Sequence, residues 1–338
     1  MVNWGIIGLG NIADQFASAF QQIQNAKLVG ISSRTEKNLN QFKDKYNLEK
    51  KNCFNNYQEL IDSENIDVIY IALPHNFHFE WILKCLKSNK KVLTEKPATV
   101  NKDQMQQIIN FLDKNKLFFA EGFMYRFHPQ TYEIVKIIKD GTIGDLLSME
   151  SFFGVNIIMK RNIFGFKRIK IDEKRRLFNK KLAGGCILDL GCYPTSMSLL
   201  ISDLKNKIET PVIIKNKKVE IGPTLVDIDS YAELDFQNGF KSLIGSSFKK
   251  NLGKTTKISG SKGKIEVYDT WHCSASQIDL NGKSYDLKNI KYNNIFSYEI
   301  ESISQSIIES KTDPEFPAMD KFNSLRNAEI LEDWQNVD

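Results

Sequence analysis

Three short stretches carry side chains able to do chemistry on an alcohol or a carbonyl. In Val92-Leu93-Thr94-Glu95-Lys96-Pro97, Glu95 and Lys96 stand just past the carboxyl end of an apolar run, and Pro97 stiffens the exit. Ligands of parallel sheets bind beyond that strand end. A lysine there can bond a substrate oxygen, stabilise negative charge on it or lower a neighbouring acid's pKa. An ordinary surface strand end accounts for the same two residues equally well.

In Gly184-Gly185-Cys186-Ile187-Leu188-Asp189-Leu190-Gly191-Cys192-Tyr193-Pro194, Pro194 suits the first turn of a helix. A glycine-shaped loop is therefore predicted to lead into a helix over Thr195 to Ile201, aiming Asp189 and Tyr193 into one cleft. A tyrosine exchanges a proton with an alcohol/carbonyl pair when nearby positive charge lowers its pKa. The competing reading is a helix cap at Asp189 with Tyr193 packed in the core.

The third stretch, Gly8-Leu9-Gly10-Asn11-Ile12-Ala13, fits GxGxxA. Gly8 permits a tight turn, Gly10 lets backbone approach a pyrophosphate, and Ala13 keeps helix and sheet close. Diphosphate then meets the free N–H groups of Asn11 and Ile12 at a helix start. The pattern alone is weak, since glycine turns also serve structure, but it sits at a first strand-to-helix turn. At the end of the second strand, where NAD enzymes place an acid, the chain has Ser32-Ser33-Arg34-Thr35. Ser33 can donate to a 2′-phosphate and Arg34 can grip it as a charged fork, so NADP(H) is favoured over NAD(H). Alternatively Arg34 points to solvent and Glu36 reaches the ribose.

The elements that position these residues follow from periodicity. Strands are predicted at Trp4 to Gly8, Leu28 to Ser32, Val68 to Leu73, Lys91 to Thr94 and Leu117 to Ala120. Helices are predicted at Ile12 to Ile23, Phe79 to Leu86 and Met105 to Leu112. Such alternation describes an α/β, doubly wound, six-stranded parallel sheet: a Rossmann domain over 1–122. Beyond Gly122 the strands alternate apolar and polar residues, as in Ala232, Leu234 and Phe236, and Asn238-Gly239 and Asn281-Gly282 mark hairpins. Residues 123–338 thus read as an α+β domain with a mainly antiparallel open sheet, which includes a helical stripe of Phe296, Ile300, Ile303 and Ile307.

A chain of 338 residues exceeds one hydrophobic core, in keeping with two domains. Its 46 Lys and Arg outnumber 41 Asp and Glu only slightly. The densest basic cluster, Lys167 to Arg176, contains two acids, so no nucleic-acid partner is expected. The N-terminus reads as a strand with no signal peptide, no run approaches the ~20 apolar residues of a membrane span, and the five scattered cysteines lack a CxxC pair. A cytoplasmic protein with neither disulfides nor zinc is expected. His75 and His78 have the spacing of a metal pair but lack a third ligand, so no metal is expected.

These motifs together resemble the Gfo/Idh/MocA oxidoreductases over nearly the whole chain. GLGNIA, Leu73-Pro74-His75 to His78, the EKP tripeptide, Glu121-Gly122-Phe123-Met124-Tyr125-Arg126-Phe127-His128-Pro129 and GGCILDLGCY occur in that family's order. The chain looks most like the branch of dimeric dihydrodiol dehydrogenase, glucose-fructose oxidoreductase and D-xylose dehydrogenase. The resemblance implies hydride transfer between a nicotinamide and a sugar- or polyol-type alcohol or carbonyl. It implies Lys96 beside nicotinamide and substrate oxygen, Tyr193 as the acid/base, and Asp189 orienting substrate or acid/base. Arg126 and Arg176 are implied near the substrate, and Leu73, Pro74, His75, His78 and Glu95 near the cofactor. His75 stands where relatives commonly have Asn, Gly122 where they often have Ala, and Tyr193 where inositol dehydrogenases carry His. A homodimer or homotetramer through the C-terminal sheet is also implied. Two other activities occur among similar proteins: NAD-dependent glycoside hydrolysis with transient redox, and non-catalytic NAD(P)-binding regulation. Retention of both Lys96 and Tyr193 argues against a pure regulator.

Overall fold

Val68, Ile69, Tyr70 and Ile71 are all fully buried, as an apolar run without alternation requires of a central strand covered on both faces. The computed structural model describes residues 1–162, 165–205, 210–274, 277–288 and 290–336. It places that run in a sheet of six parallel strands: β1 (Val2–Ile7), β2 (Ala26–Ser32), β3 (Cys53–Phe54), β4 (Val68–Ile71), β5 (Lys91–Glu95) and β6 (Phe119–Gly122). Their order is β3-β2-β1-β4-β5-β6. This is the doubly wound arrangement, with the chain reversing direction beside β1. The connecting helices are α1 (Asn11–Ser18), α2 (Glu36–Lys45), α3 (Tyr57–Asp62), α4 (His75–Lys87) and α5 (Lys102–Asn115). Two details depart from the sequence reading. The first helix is α-helical only to Ser18 and tightens to a 3-10 turn over Ala19–Gln22, and the two-residue β3 carried no strand signal of its own.

The second sheet has eight strands in the order β10-β11-β12-β7-β13-β14-β15-β16. They are β7 (Leu146–Gly154), β10 (Val212–Ile221), β11 (Asp227–Phe236), β12 (Lys241–Ser247), β13 (Thr256–Gly260), β14 (Lys264–Val267), β15 (Gln277–Leu280) and β16 (Lys283–Asp286). All pairings are antiparallel except that of β12 with β7. The two expected hairpins are present: Asn238-Gly239 joins β11 to β12, and Asn281-Gly282 joins β15 to β16. Ala232, Leu234 and Phe236 share the buried face of β11, each 1% exposed. Helices α6 (Pro129–Lys139) and α7 (Cys192–Lys205) belong to this part of the chain. Within the stretch Asn156 to Lys174, β8 (Met159–Asn162) pairs with β9 (Gly165–Arg168), and residues 163 and 164 lie outside the described residues.

The compact units differ from the domains read from sequence. The first comprises Met1–His128 with Lys291–Leu325, and the second comprises Pro129–Ile290 with Arg326–Asp338. The division thus falls six residues later than Gly122, and helix α8 (Ile295–Ile308) returns to the first unit instead of joining the second. The reason lies in its stripe. Phe296, Ile300 and Ile303 are buried, Phe296 meets the Phe16 ring edge-on at 5.7 Å, and Trp4 Nε1 donates to Ser304 Oγ at 3.0 Å. An amphipathic stripe shows that a helix is covered but not which sheet covers it. The last helix, α9 (Lys321–Gln335), spans the third passage of the chain from one unit to the other.

Candidate active site

The first unit carries its chemical residues on the turns that leave β1, β2, β4 and β5, the edge at which parallel sheets bind ligands. Gly8 has φ +89, and a Cβ added there would lie 2.5 Å from the carbonyl oxygen of Ala72, so only glycine makes this turn. Gly10, the residue before α1, has open space where a Cβ would point, while Ala13 is fully buried. Asn38 Nδ2 donates to Leu9 O at 2.9 Å and steadies the loop. Open space over Gly10, ahead of the unpaired N–H groups at Asn11 and Ile12, forms a cradle that fits the diphosphate of a dinucleotide.

At the end of β2, Ser33 is 5% exposed and its hydroxyl accepts from Thr35 N–H at 3.1 Å. Arg34 is exposed, its guanidinium carbon 6.0 Å from the centre of the Tyr57 ring, and Glu36 opens α2.

Past β4, Pro74 precedes α4 and His75 begins it, 4% exposed. His78 is fully buried. Its Nδ1 lies 2.8 Å from Pro97 O and its Nε2 2.7 Å from Leu73 O, so the ring ties the β4 turn to the β5 turn. A neutral ring can donate to only one of those carbonyls. His78, grouped by the sequence with cofactor-contacting residues, also ties two backbones together. Among the described residues no group of three His, Cys, Asp or Glu could hold a metal ion.

The β5 turn presents Lys96 half-buried, after Glu95, whose carboxylate accepts a short hydrogen bond from Tyr70. On the adjacent strand Glu121 pairs in register with Thr94, and its Oε1 accepts from Ala98 N–H at 2.8 Å. Burial pushes the Glu121 carboxyl up to about 7, against the opposing pull of Ser324, the Ala98 amide, Arg126 and Lys96. Glu299, on α8, is fully buried and held well above the usual carboxylate range by burial and then by the charge of Glu95. Arg126 is only 1% exposed. Its Nη1 donates to Pro317 O at 3.2 Å and its Nε to the Tyr125 hydroxyl at 3.4 Å, all within the first unit.

The second unit holds Arg176, Asp189 and Tyr193. The expected loop before α7 is instead a five-residue π-helical turn, Ile187–Gly191, running directly into α7. Such wide turns recur at functional sites, because one extra residue per turn re-aims side chains. Asp227 caps it, accepting from Ile187 N–H at 2.6 Å. Gly185, at φ +123, lies so close to Asp227 that an added Cβ would stand 2.4 Å from its carboxylate oxygen. Gly185, read as a loop former, therefore makes room for a capping carboxylate, whereas a Cβ on Gly184 would stand 2.6 Å from the carbonyl oxygen of Leu177. Asp189 accepts from Arg176 Nη2 at 3.1 Å, Asp189 being 13% and Arg176 41% exposed in their side chains. Tyr193 is 5% exposed, its ring 5.3 Å from Phe153 and 5.5 Å from Trp271.

Sequence reasoning missed Tyr70, Glu299 and Asp227, whose partners are distant in the chain. Glu121 lay inside a quoted motif without a role. A buried acid following an apolar strand was the available signal.

Comparison with known proteins matches both parts of the chain to one family. Residues 2–123 match the model of an oxidoreductase family with an NAD-binding Rossmann fold, and residues 132–266 match the Gfo/Idh/MocA C-terminal domain. The trans-1,2-dihydrobenzene-1,2-diol dehydrogenase of Xenopus tropicalis is 28% identical over 341 residues, covering 98% of this chain and 96% of the relative. That of Mus musculus is 26% identical over 284 residues, covering 83% and 78%. Among solved structures, an aldose-aldose oxidoreductase from Caulobacter crescentus complexed with glycerol superposes with a TM-score of 0.83 at 20% identity, covering 98% and 96%. A 3-ketoreductase from Actinomadura kijaniata bound to NADP and TDP-benzene gives 0.79 at 20% identity, with the same coverage.

Proposed function

Because the chain belongs to the Gfo/Idh/MocA family of oxidoreductases, we propose that it is an NADP(H)-preferring dehydrogenase of CH–OH groups, acting on a sugar, polyol or cyclic diol. The observation that carries the reading is the Lys96 turn, which holds a half-buried lysine just past β5 on the edge where the Gly8–Gly10 cradle also opens. The relatives' activity on a trans-diol supports the substrate class.

A bound nicotinamide supplies the redox chemistry, giving or taking the hydride. The chain's own residues do the remaining work. Gly8, Gly10, Asn11 and Ile12 seat the diphosphate, and Ser33 with Arg34 binds a 2′-phosphate. Leu73, Pro74 and His75 line the neighbouring turn, while His78 and Glu95 hold the β5 turn in place. Lys96 bonds the substrate oxygen and stabilises negative charge on it. Tyr193 exchanges the hydroxyl proton. Asp189, oriented by Arg176, holds a substrate hydroxyl. Arg126 acts from beneath as a buried charge.

No helix among the described residues is long and apolar enough to cross a membrane, and all five cysteines are free thiols. We place the enzyme in the reducing cytoplasm on that thiol chemistry. For self-association we favour the C-terminal sheet, where Ile213 and Leu243 are exposed on the face opposite Leu234.

The test is a screen of pentoses, hexoses, anhydro-sugars and trans-1,2-dihydrobenzene-1,2-diol with NADP+ and NAD+, and of the corresponding carbonyls with NADPH. Reduced-coenzyme absorbance is followed. Substrate-dependent change, faster with NADP+, is the expected result. Cleavage of a glycoside with no net absorbance change would turn the reading to transient redox, and coenzyme binding without turnover on any substrate would turn it to regulation.

A further inference from the structure

We propose that Glu121 is a positioning residue for Lys96: its carboxylate clamps the Ala98 amide and balances the charge of Lys96 and Arg126, fixing the turn from which the lysine extends. This rests on the dehydrogenase reading for its catalytic meaning, though not for its geometry. Lys96 leaves β5 through Pro97, and both backbone groups beyond it are tied down. Pro97 O faces the His78 ring at 2.8 Å, and Ala98 N–H donates to Glu121 at 2.8 Å. The second tie comes from a side chain 2% exposed, on a strand in direct register with β5. A charge-assisted bond to an amide in such a site is short, directional and stronger than a neutral one.

Several ionisable or polar groups face this carboxyl. Lys96 approaches from the β5 turn, Arg126 from the turn after β6, Ser324 from α9, and His78 from α4 through Pro97. Glu95, paired with Gly122, and Glu299 on α8, whose Oε1 lies 3.7 Å from the site of a Cβ on Gly122, belong to the opposite face of the sheet. Glu299 is held neutral by burial and then by the charge of Glu95, so it adds no second negative charge. Glu121, poised at about 7, then carries the negative charge at mildly alkaline pH and loses it on the acid side. Its protonation weakens the acceptor that clamps Ala98 and removes the counter-charge of two cations.

The experiment reads Lys96 directly. The lysines of the full chain are reductively methylated with 13C-formaldehyde. The Lys96 resonance is assigned by its loss in Lys96→Arg and followed from acid to alkaline pH. We expect an inflection near pH 7 in the wild type that disappears in Glu121→Gln, which keeps the shape and the amide acceptor but not the charge. An inflection kept in Glu121→Gln assigns it to His78 or another group and overturns the proposal, as does a wild type with none. If Glu121→Gln does not fold, Glu121→Asp decides: a moved inflection supports the proposal and an unmoved one overturns it. A merely structural Glu121 predicts that Glu121→Gln melts lower at pH 8. The raised carboxyl predicts equal or higher melting there, since an acid with elevated pKa costs stability as pH rises from its unfolded value through its folded one. None of these readouts needs a substrate, so a failed dehydrogenase screen leaves them standing. With an active substrate, turnover of the wild type should fall about tenfold per pH unit below the inflection, and Glu121→Gln should lack that limb.

Discussion

Lys96 stands at the end of a strand, on a turn fixed by side chains reaching in from other elements. Tyr193 stands inside a helix, and packing fixes it. Around Lys96 the ties are polar: His78 to Pro97 and Leu73, Glu121 to Ala98, Tyr70 to Glu95. Around Tyr193 packing is prominent: rings of Phe153 and Trp271, and a π-turn capped by Asp227 that leaves no room for a Cβ at Gly185. A turn held by buried hydrogen bonds can be retuned by one proton. A helix held by packing responds to volume. The first unit should therefore carry the pH dependence of this protein and the second its sensitivity to size.

The comparison breaks most visibly in turnover. Lys96→Ala and Tyr193→Phe should each lower kcat about 10²- to 10⁴-fold with coenzyme affinity retained. Near-normal rates in both, measured by absorbance with any substrate found active, would remove the chemical equivalence of the two turns. Next comes size. Gly185→Ala forces a left-handed φ and a contact of 2.4 Å on Asp227, and should cost about 3 kcal/mol in denaturant unfolding. A cost below about 1 kcal/mol would show that the π-turn is not sterically set.

The proton side concerns His128, which burial holds down to about 4. Its folded value lies below the unfolded one, so the unfolded chain takes up the proton first and stability falls as pH drops from about 6.5 to about 4. The loss is roughly 3 kcal/mol for a shift of this size. Hydrogen exchange at about pH 5 should show the first unit loosening before the second, and His128→Gln should flatten the slope. Uniform loosening would erase the contrast. The smallest effect is expected at Arg34. Arg34→Ala should weaken NADPH about tenfold and NADH little, by fluorescence titration. Equal weakening would withdraw the preference for NADP(H).

Much of the first unit was legible because its signals are local. A glycine turn, a buried apolar run and a helical stripe each lie within a dozen residues, and β1, β4 and α5 appear where periodicity puts them. The short β3 escaped because two residues carry no period. In the second unit the Asn-Gly hairpins were readable, but the parallel pairing of β12 with β7 joins strands about 90 residues apart. The π-turn was read as a loop because glycines ordinarily break helices, and the carboxylate that requires Gly185, Asp227, lies 40 residues from the Ile187 amide it caps.

By itself the sequence determined the fold class, the family, and the residue types offered to the chemistry, since each is written in short-range pattern or in motif order. Only the tertiary structure decided that α8 closes the first unit, that His78 and Arg126 serve backbone carbonyls, and that Glu121 grips the turn bearing Lys96. Those outcomes depend on which buried polar groups meet across distant segments. A buried charge or donor must find its partner wherever folding brings one, and no spacing in the chain records where that is.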